Sequence, residues 1–338
     1  MAKTIKDLDY YLNGIKSGNK YVLAEAITLA ESTHTHKKQI AEKLIENCFG
    51  YSKQNKTCRI AVTGSPGAGK STLINALGES FVDAGYRVAV LAIDPSSQQT
   101  MGSILGDKTR MYELSQRENA FIRPTASGSY LGGTHRKTKE SILLCEAAGY
   151  TIILVETVGV GQSEIEVSNL TDMTILVLQP GAGDDLQGIK RGIMEIADIL
   201  TVNKSDGELL NAARQTLKFY SEAIKYYPQK HQGINIKTTM CSALTQWGIE
   251  ELRDLVIDLQ RELADRNIIE SLRLNQEILN FENNLKDFAI NLILKDKKIQ
   301  ELVMLIKEDL QNGKINSIQA INKLQIWSTH HNQIGTLR

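Results

Sequence analysis

CRIAVTGSPGAGKST, residues 58–72, decides the fold of this chain. Its first part is a short, near-continuous apolar run, the pattern of a strand covered on both faces. GSPGAGKS, residues 64–71, then fits G-x-x-x-x-G-K-[ST] between that strand and a helix, the context the pattern needs. Gly64, Gly67 and Gly69 let the backbone curl through Ser65, Pro66 and Ala68 so that successive N–H groups face an anion. The helix opening near Lys70 adds its positive dipole end. Lys70 is placed to reach the outer phosphates of a nucleotide and Ser71 to offer its hydroxyl to Mg²⁺, with Thr72 closing the contacting run.

Working outward, further apolar runs stand at 87–94, 151–159, 173–181, 198–206 and 234–243, most of them separated by helical stretches. Right-handed βαβ units and a mainly parallel, doubly wound sheet follow: an α/β P-loop NTPase fold. In such sheets the ligand lies at the carboxyl ends of the strands. The flanks differ in texture. Residues 1–56 read as a helical segment, with Leu23, Ile27 and Ala30, then Ile40, Leu44, Ile45 and Cys48, at helical spacing. Residues 57–262 form the nucleotide domain, and 263–338 return to helix, with stripes at Leu285, Phe288, Ala289, Leu292, Ile293 and at Leu302, Val303, Leu305, Ile306, Leu310.

The remaining chemistry sits at strand ends. Asn203-Lys204-Ser205-Asp206 resembles the NKxD guanine-recognition motif. The Asp206 carboxylate can accept from both N1–H and the exocyclic amine of guanine, whereas adenine offers neither donor there, and such a site rejects analogues that leave it unpaired. Lys204 can lay its stem over the base while Asn203 ties this loop to the glycine-rich one. Ser242-Ala243-Leu244 resembles the short loop whose backbone meets the guanine oxygen. Asp94 and Glu156 end buried-type strands, where a carboxylate is costly unless a cation or hydrogen bonds compensate it, and Mg²⁺ beside a triphosphate could do so. Gly159 is positioned to sense the γ-phosphate. Asp107 and Gln162 are candidates for the segment that orients the attacking water, and 180–192, with Asp184, Asp185, Lys190 and Arg191, for a movable loop.

Composition narrows the setting. Lys and Arg total 39 and Asp and Glu total 39, so bulk attraction to nucleic acid or an anionic membrane is not expected. No apolar run approaches the length of a membrane span. Cys48, Cys58, Cys145 and Cys241 are scattered without a CxxC pair, as for reduced thiols in the cytoplasm.

Together, GSPGAGKST, ILGDKTRM, ETVGVGQSE, QPGAGDDLQGIKRGIMEIADI and NKSD closely resemble the MeaB/ArgK family, over roughly residues 20–260. The resemblance implies a Mg²⁺-dependent GTPase cycling between GTP and GDP. It also implies a homodimer with helical arms and a chaperone that loads and protects an adenosylcobalamin-dependent mutase such as methylmalonyl-CoA mutase. By matching motifs it implies a catalytic set of Lys70, Asp94, Asp107 and Glu156, with Ser71, Asp94 and Glu156 linked to the metal. Met101 stands where the family has the first of two adjacent glycines, so a stiffer or differently placed segment before Asp107 is expected. The family also carries an older reading, a kinase acting on a component of amino-acid transport. Related nickel or cobalt metallochaperones need soft-ligand spacing, which is missing here.

Overall fold

The structure is a computed structural model that describes residues 6–32, 34–52, 56–94, 111–126, 131–157, 166–181 and 191–332. The chain divides into a compact unit over Met1–Gln276 and a smaller one over Glu277–Arg338.

In the larger unit, β1 (Cys58–Gly64), β2 (Val88–Asp94), β3 (Ala120–Ala126), β4 (Ile152–Glu156), β5 (Met173–Leu178), β6 (Ile199–Val202) and β7 (Lys237–Met240) form one sheet. Its order is β3-β2-β4-β1-β5-β6-β7, and every pairing is parallel. The strand carrying the glycine-rich loop is therefore central. Side-chain parity sends each strand into two cores. Ile60, Val62, Val88, Val90, Ile152 and Leu154 face α4 (Lys70–Asp83) and a later helix, Ile249–Asp265. Ala61, Ala89, Leu91, Ile153 and Val155 face the other way. There they meet α1 (Leu8–Lys16), α2 (Lys20–Ala30), α3 (Thr35–Ser52) and the helix Leu131–Ala147.

Between β2 and β3 lies a short helix, α5 (Tyr112–Gln116); Leu131–Ala147 is α6. After β5 come α7 (Arg191–Ile196), α8 (Leu210–Ala223) and α9, the Ile249–Asp265 helix. The β3 strand, AFIRPTA, was not among the expected strands. Pro124 makes it read as a broken run, but β3 is an edge strand bonded only to β2, where a missing N–H is tolerated. All four cysteines are free and buried. Among the described residues no helix is long and apolar enough to cross a membrane.

The long helix α10 (Ile268–Lys295) runs from the first unit into the second, which adds α11 (Lys297–Gln311) and α12 (Ser317–Asn332). Among the described residues beyond Gln276, Ile306 and Ala320 are the buried apolar side chains. Along α10, Leu274, Ile278, Phe281, Leu285 and Phe288 recur every three or four residues and are all at least half exposed.

Candidate functional site

The glycine-rich loop leaves β1 with a conformation only glycine accepts. Gly64 has φ +146°, and a Cβ there would lie 2.2 Å from the Val177 carbonyl oxygen on β5. Gly69 has φ +85°, and a Cβ there would strike Asn203 Nδ2 at 2.6 Å. These glycines let the loop press against its neighbours and still turn into α4. The leading N–H groups of α4 lack partners within the helix and point into the loop. Lys70, only 8% exposed, donates Nζ to Gly64 O at 2.8 Å and to Ser65 O at 3.3 Å.

Because β4 lies beside β1, Glu156 at its end comes against the start of α4. Ser71 Oγ donates to Glu156 Oε1 at 2.6 Å. Asp94 closes β2, its backbone opposite Ala126; its side chain lies outside the described residues, as do Gly159, Asp107, Gln162, Met101, Arg110 and residues 182–190. Arg191 begins α7 without a described side chain. Arg136, on α6, pairs with Glu140 at 2.8 Å.

On the other side of β1 three loops are joined by one amide. Asn203, after β6 and 2% exposed, donates Nδ2 to Ala68 O at 3.0 Å, and its Oδ1 accepts from Ala243 N–H at 3.1 Å. Lys204 has φ +58° and donates Nζ to Gly67 O at 2.7 Å. Ser205 turns inward, its hydroxyl donating to Val202 O at 2.8 Å. Asp206 stands at the N-cap position of the turn Gly207–Leu209, yet its side chain makes no capping bond. Ser242 is buried, with its N–H donating to Trp247 O at 2.8 Å, while Leu244 is 80% exposed beside it.

One contributor had no signal in the sequence. Cys241 lies beneath Asn203, with Sγ 3.9 Å from Asn203 Oδ1 and 3.3 Å from Thr201 Oγ1. Burial pushes its thiol up to about 11, so it stays protonated, a weak donor under the amide. Only its place just before Ser242 could have pointed to it.

The site therefore gathers residues 64–72, Glu156, 203–206 and 242–244 on one sheet edge. A family model described as Methylmalonyl Co-A mutase-associated GTPase MeaB matches residues 23–298, beyond the stretch that carried the resemblance. The chain is 39% identical over 325 residues to the mouse protein named Methylmalonic aciduria type A homolog, mitochondrial, spanning 94% of this chain and 78% of that one. It is 42% identical over 264 residues to GTPase ArgK of Escherichia coli K12, spanning 78% of this chain and 79% of that one. A solved structure, the crystal structure of LAO/AO transport system kinase, superposes with a TM-score of 0.76 at 30% identity, covering 97% of this chain and all of that one. With most of its length matched, the chain belongs to the MeaB family and is a P-loop GTPase.

Proposed function

We propose that this GTPase acts as a chaperone for an adenosylcobalamin-dependent acyl-CoA mutase, with methylmalonyl-CoA mutase the first candidate, and that residues 57–262 carry the nucleotide. The reading of the partner is supported by the family's description and by the mouse relative's name. The reading of the site rests chiefly on Asn203, whose single side chain joins the glycine-rich loop, the 203–206 loop and the 242–244 loop.

In this reading Gly64, Ser65, Gly67, Ala68 and Gly69 wrap the β-phosphate with their N–H groups, while Pro66, which has no N–H, fixes the turn between them. Lys70 exchanges its bonds to Gly64 O and Ser65 O for oxygens of the outer phosphates. Asp206 reads guanine: among the described residues no protein group bonds its carboxylate, so it is available to the two donors of that base. The Ala243 N–H, which bonds Asn203 Oδ1 here, is shared with the guanine oxygen, with Ser242 holding the turn and Leu244 flanking it. The hydroxyl of Ser71 and the carboxylate of Glu156 are hard oxygen donors 2.6 Å apart, a set that fits Mg²⁺ and would hold it, with Asp94 as a further acidic residue for the ion. When bound, the ion neutralises charge on the phosphates undergoing transfer. Asp107 orients the attacking water.

Residues 263–338 form the dimerisation arm, and the partner that covers α10 is a second copy of the chain. The described part of the second unit buries too little apolar surface to stand alone, and the α10 stripe repeats at the 3.5-residue spacing of a coiled-coil seam. Residues 1–56 flank the nucleotide domain, and the setting is cytoplasmic.

The test adds purified methylmalonyl-CoA mutase to the GTPase with γ-labelled GTP and Mg²⁺. The expected result is free labelled phosphate, released faster with the mutase than without it, and a complex whose stability differs between GDP and a non-hydrolysable GTP analogue. No acceleration and no complex would remove the mutase role. Stable label on an added transport protein would favour the kinase reading.

A further inference from the structure

The short helix α5 has no capping side chain of its own, because Met111 occupies its N-cap position. The Leu114 N–H, in its first turn, would ordinarily be an orphan donor. It donates to Asn75 Oδ1 on α4 at 3.2 Å. The other end of the same amide donates from Nδ2 to Glu113 Oε2, also at 3.2 Å. Asparagine is a poor helix-interior residue, and this one is 8% exposed, yet both functions of its amide are used outside its own helix. A capping bond normally made within one segment is here supplied by another.

The packing around this contact is close. One turn further along α4, a Cβ on Gly78 would lie 2.5 Å from Leu114 Cδ2, so the glycine makes the room that Leu114 fills. Met111 and Leu114 are fully buried in the cluster that holds Leu73, Ile74 and Leu77. At the far end of α5, Arg117 pairs with Asp83 in the last turn of α4.

Asn75 stands four residues after Ser71, one helical turn along the same face. One helix thus carries both the phosphate end of the site and the cap that starts α5. We propose that Asn75 is a positioning residue for GTP hydrolysis, fixing α5 against the helix that carries Lys70 and Ser71. It acts through the seat of α5 on α4, without touching the nucleotide, and the inference rests on the reading of Lys70 and Ser71 as the phosphate end.

The experiment uses the full chain with GTP and Mg²⁺. Asn75→Asp keeps an acceptor for Leu114 N–H but sets a carboxylate against Glu113. Single-turnover hydrolysis is expected to fall about tenfold or more, as misplacement at a distance does, while GDP affinity holds. Adding Glu113→Gln restores the pair with donor and acceptor exchanged, and the rate should recover. A merely structural role would lower GDP affinity and melting temperature together with the rate. Should Asn75→Asp not fold, Glu113→Ala, at an exposed position, leaves Nδ2 unpaired and should give a smaller fall in rate at unchanged affinity. Wild-type hydrolysis in Asn75→Asp or Glu113→Ala, or a loss of GDP affinity in proportion to rate, would overturn the inference. Lys70→Ala separates the two readings: wild-type triphosphate binding there sinks the phosphate assignment, whatever Asn75 does.

Discussion

The two ends of the central sheet are held by opposite kinds of chemistry. At the amino end, Arg59 grips Glu146 at 2.6 and 2.9 Å, and Arg273 on α10 holds Asp172 through two bonds of 2.8 and 2.6 Å. Asp172, wholly buried, also accepts from Arg59 N–H at 2.8 Å, and Thr57 Oγ1 donates to Glu146 at 2.7 Å. Burial alone would lower the Arg273 pKa, but Asp172 outweighs it, and the guanidinium is held above its ordinary value. At the carboxyl end, the Lys204 ammonium bonds a backbone carbonyl, Lys70 counts two carbonyls among its partners, and the Asp206 carboxylate bonds no described protein group. A carbonyl is a weaker partner for a cation than a carboxylate or phosphate. The amino end is closed by charges that satisfy one another, while the carboxyl end keeps charges that can change partner. Stability and ligand exchange are thus separated by the length of β1, roughly 20 Å for a strand of its size.

The largest effect expected from breaking this division is at Lys70. Lys70→Ala should cost about 10²- to 10³-fold or more in hydrolysis, measured by phosphate release, with little change in melting temperature. A variant that unfolds as readily as it loses activity would show that the carboxyl end also carries the fold. Next comes Asp172→Ala, which strands Arg273 and an N–H of β1. It should cost about 3 kcal/mol in urea unfolding, the low end for a broken buried pair because Arg273 is partly exposed. Per folded molecule its GTP hydrolysis should be unchanged; lost activity in folded protein would join the two ends. Asp206→Asn should reduce the preference for GTP over ATP by about 1–3 kcal/mol, the scale of one bidentate base contact. Competition binding with both nucleotides checks it, and unchanged discrimination would move base recognition away from Asp206.

The same division separates what the sequence made legible. The glycine-rich loop, the 203–206 loop and the strand-ending Glu156 are local patterns, and the parallel order of the strands converts them into one edge. The closed network at the other end has no local pattern. Arg59 and Glu146 are 87 residues apart and Arg273 and Asp172 are 101 apart, and each alone reads as a surface charge. Asn75 is illegible for a similar reason: its partner Glu113 is 38 residues away, and nothing in its helix announces a cap. The strand with Pro124 was missed because a proline argues against a strand unless the strand is known to be an edge. The apolar stripe of α10 was readable as a stripe, but periodicity alone says nothing of what covers it.

The smallest prediction tests whether the carboxyl end works through its cation or through its backbone. Lys204 carries both features, a bond from Nζ to Gly67 O and a left-handed φ of +58°. Lys204→Ala removes the bond but keeps a Cβ in that strained region, whereas Lys204→Gly removes both the bond and the strain. If the ammonium tether matters for the nucleotide, both variants should lose the same modest GDP affinity, about 1 kcal/mol for one exposed hydrogen bond. Their stabilities should nevertheless differ, with the glycine variant more stable than the alanine variant by about 1 kcal/mol, the cost of placing a side chain in that conformation. Calorimetry on GDP binding and thermal melts of the two proteins measure these separately. Equal melting temperatures with unequal affinities would reverse the assignment, making the left-handed backbone the ligand-facing feature and the lysine a bystander on the loop.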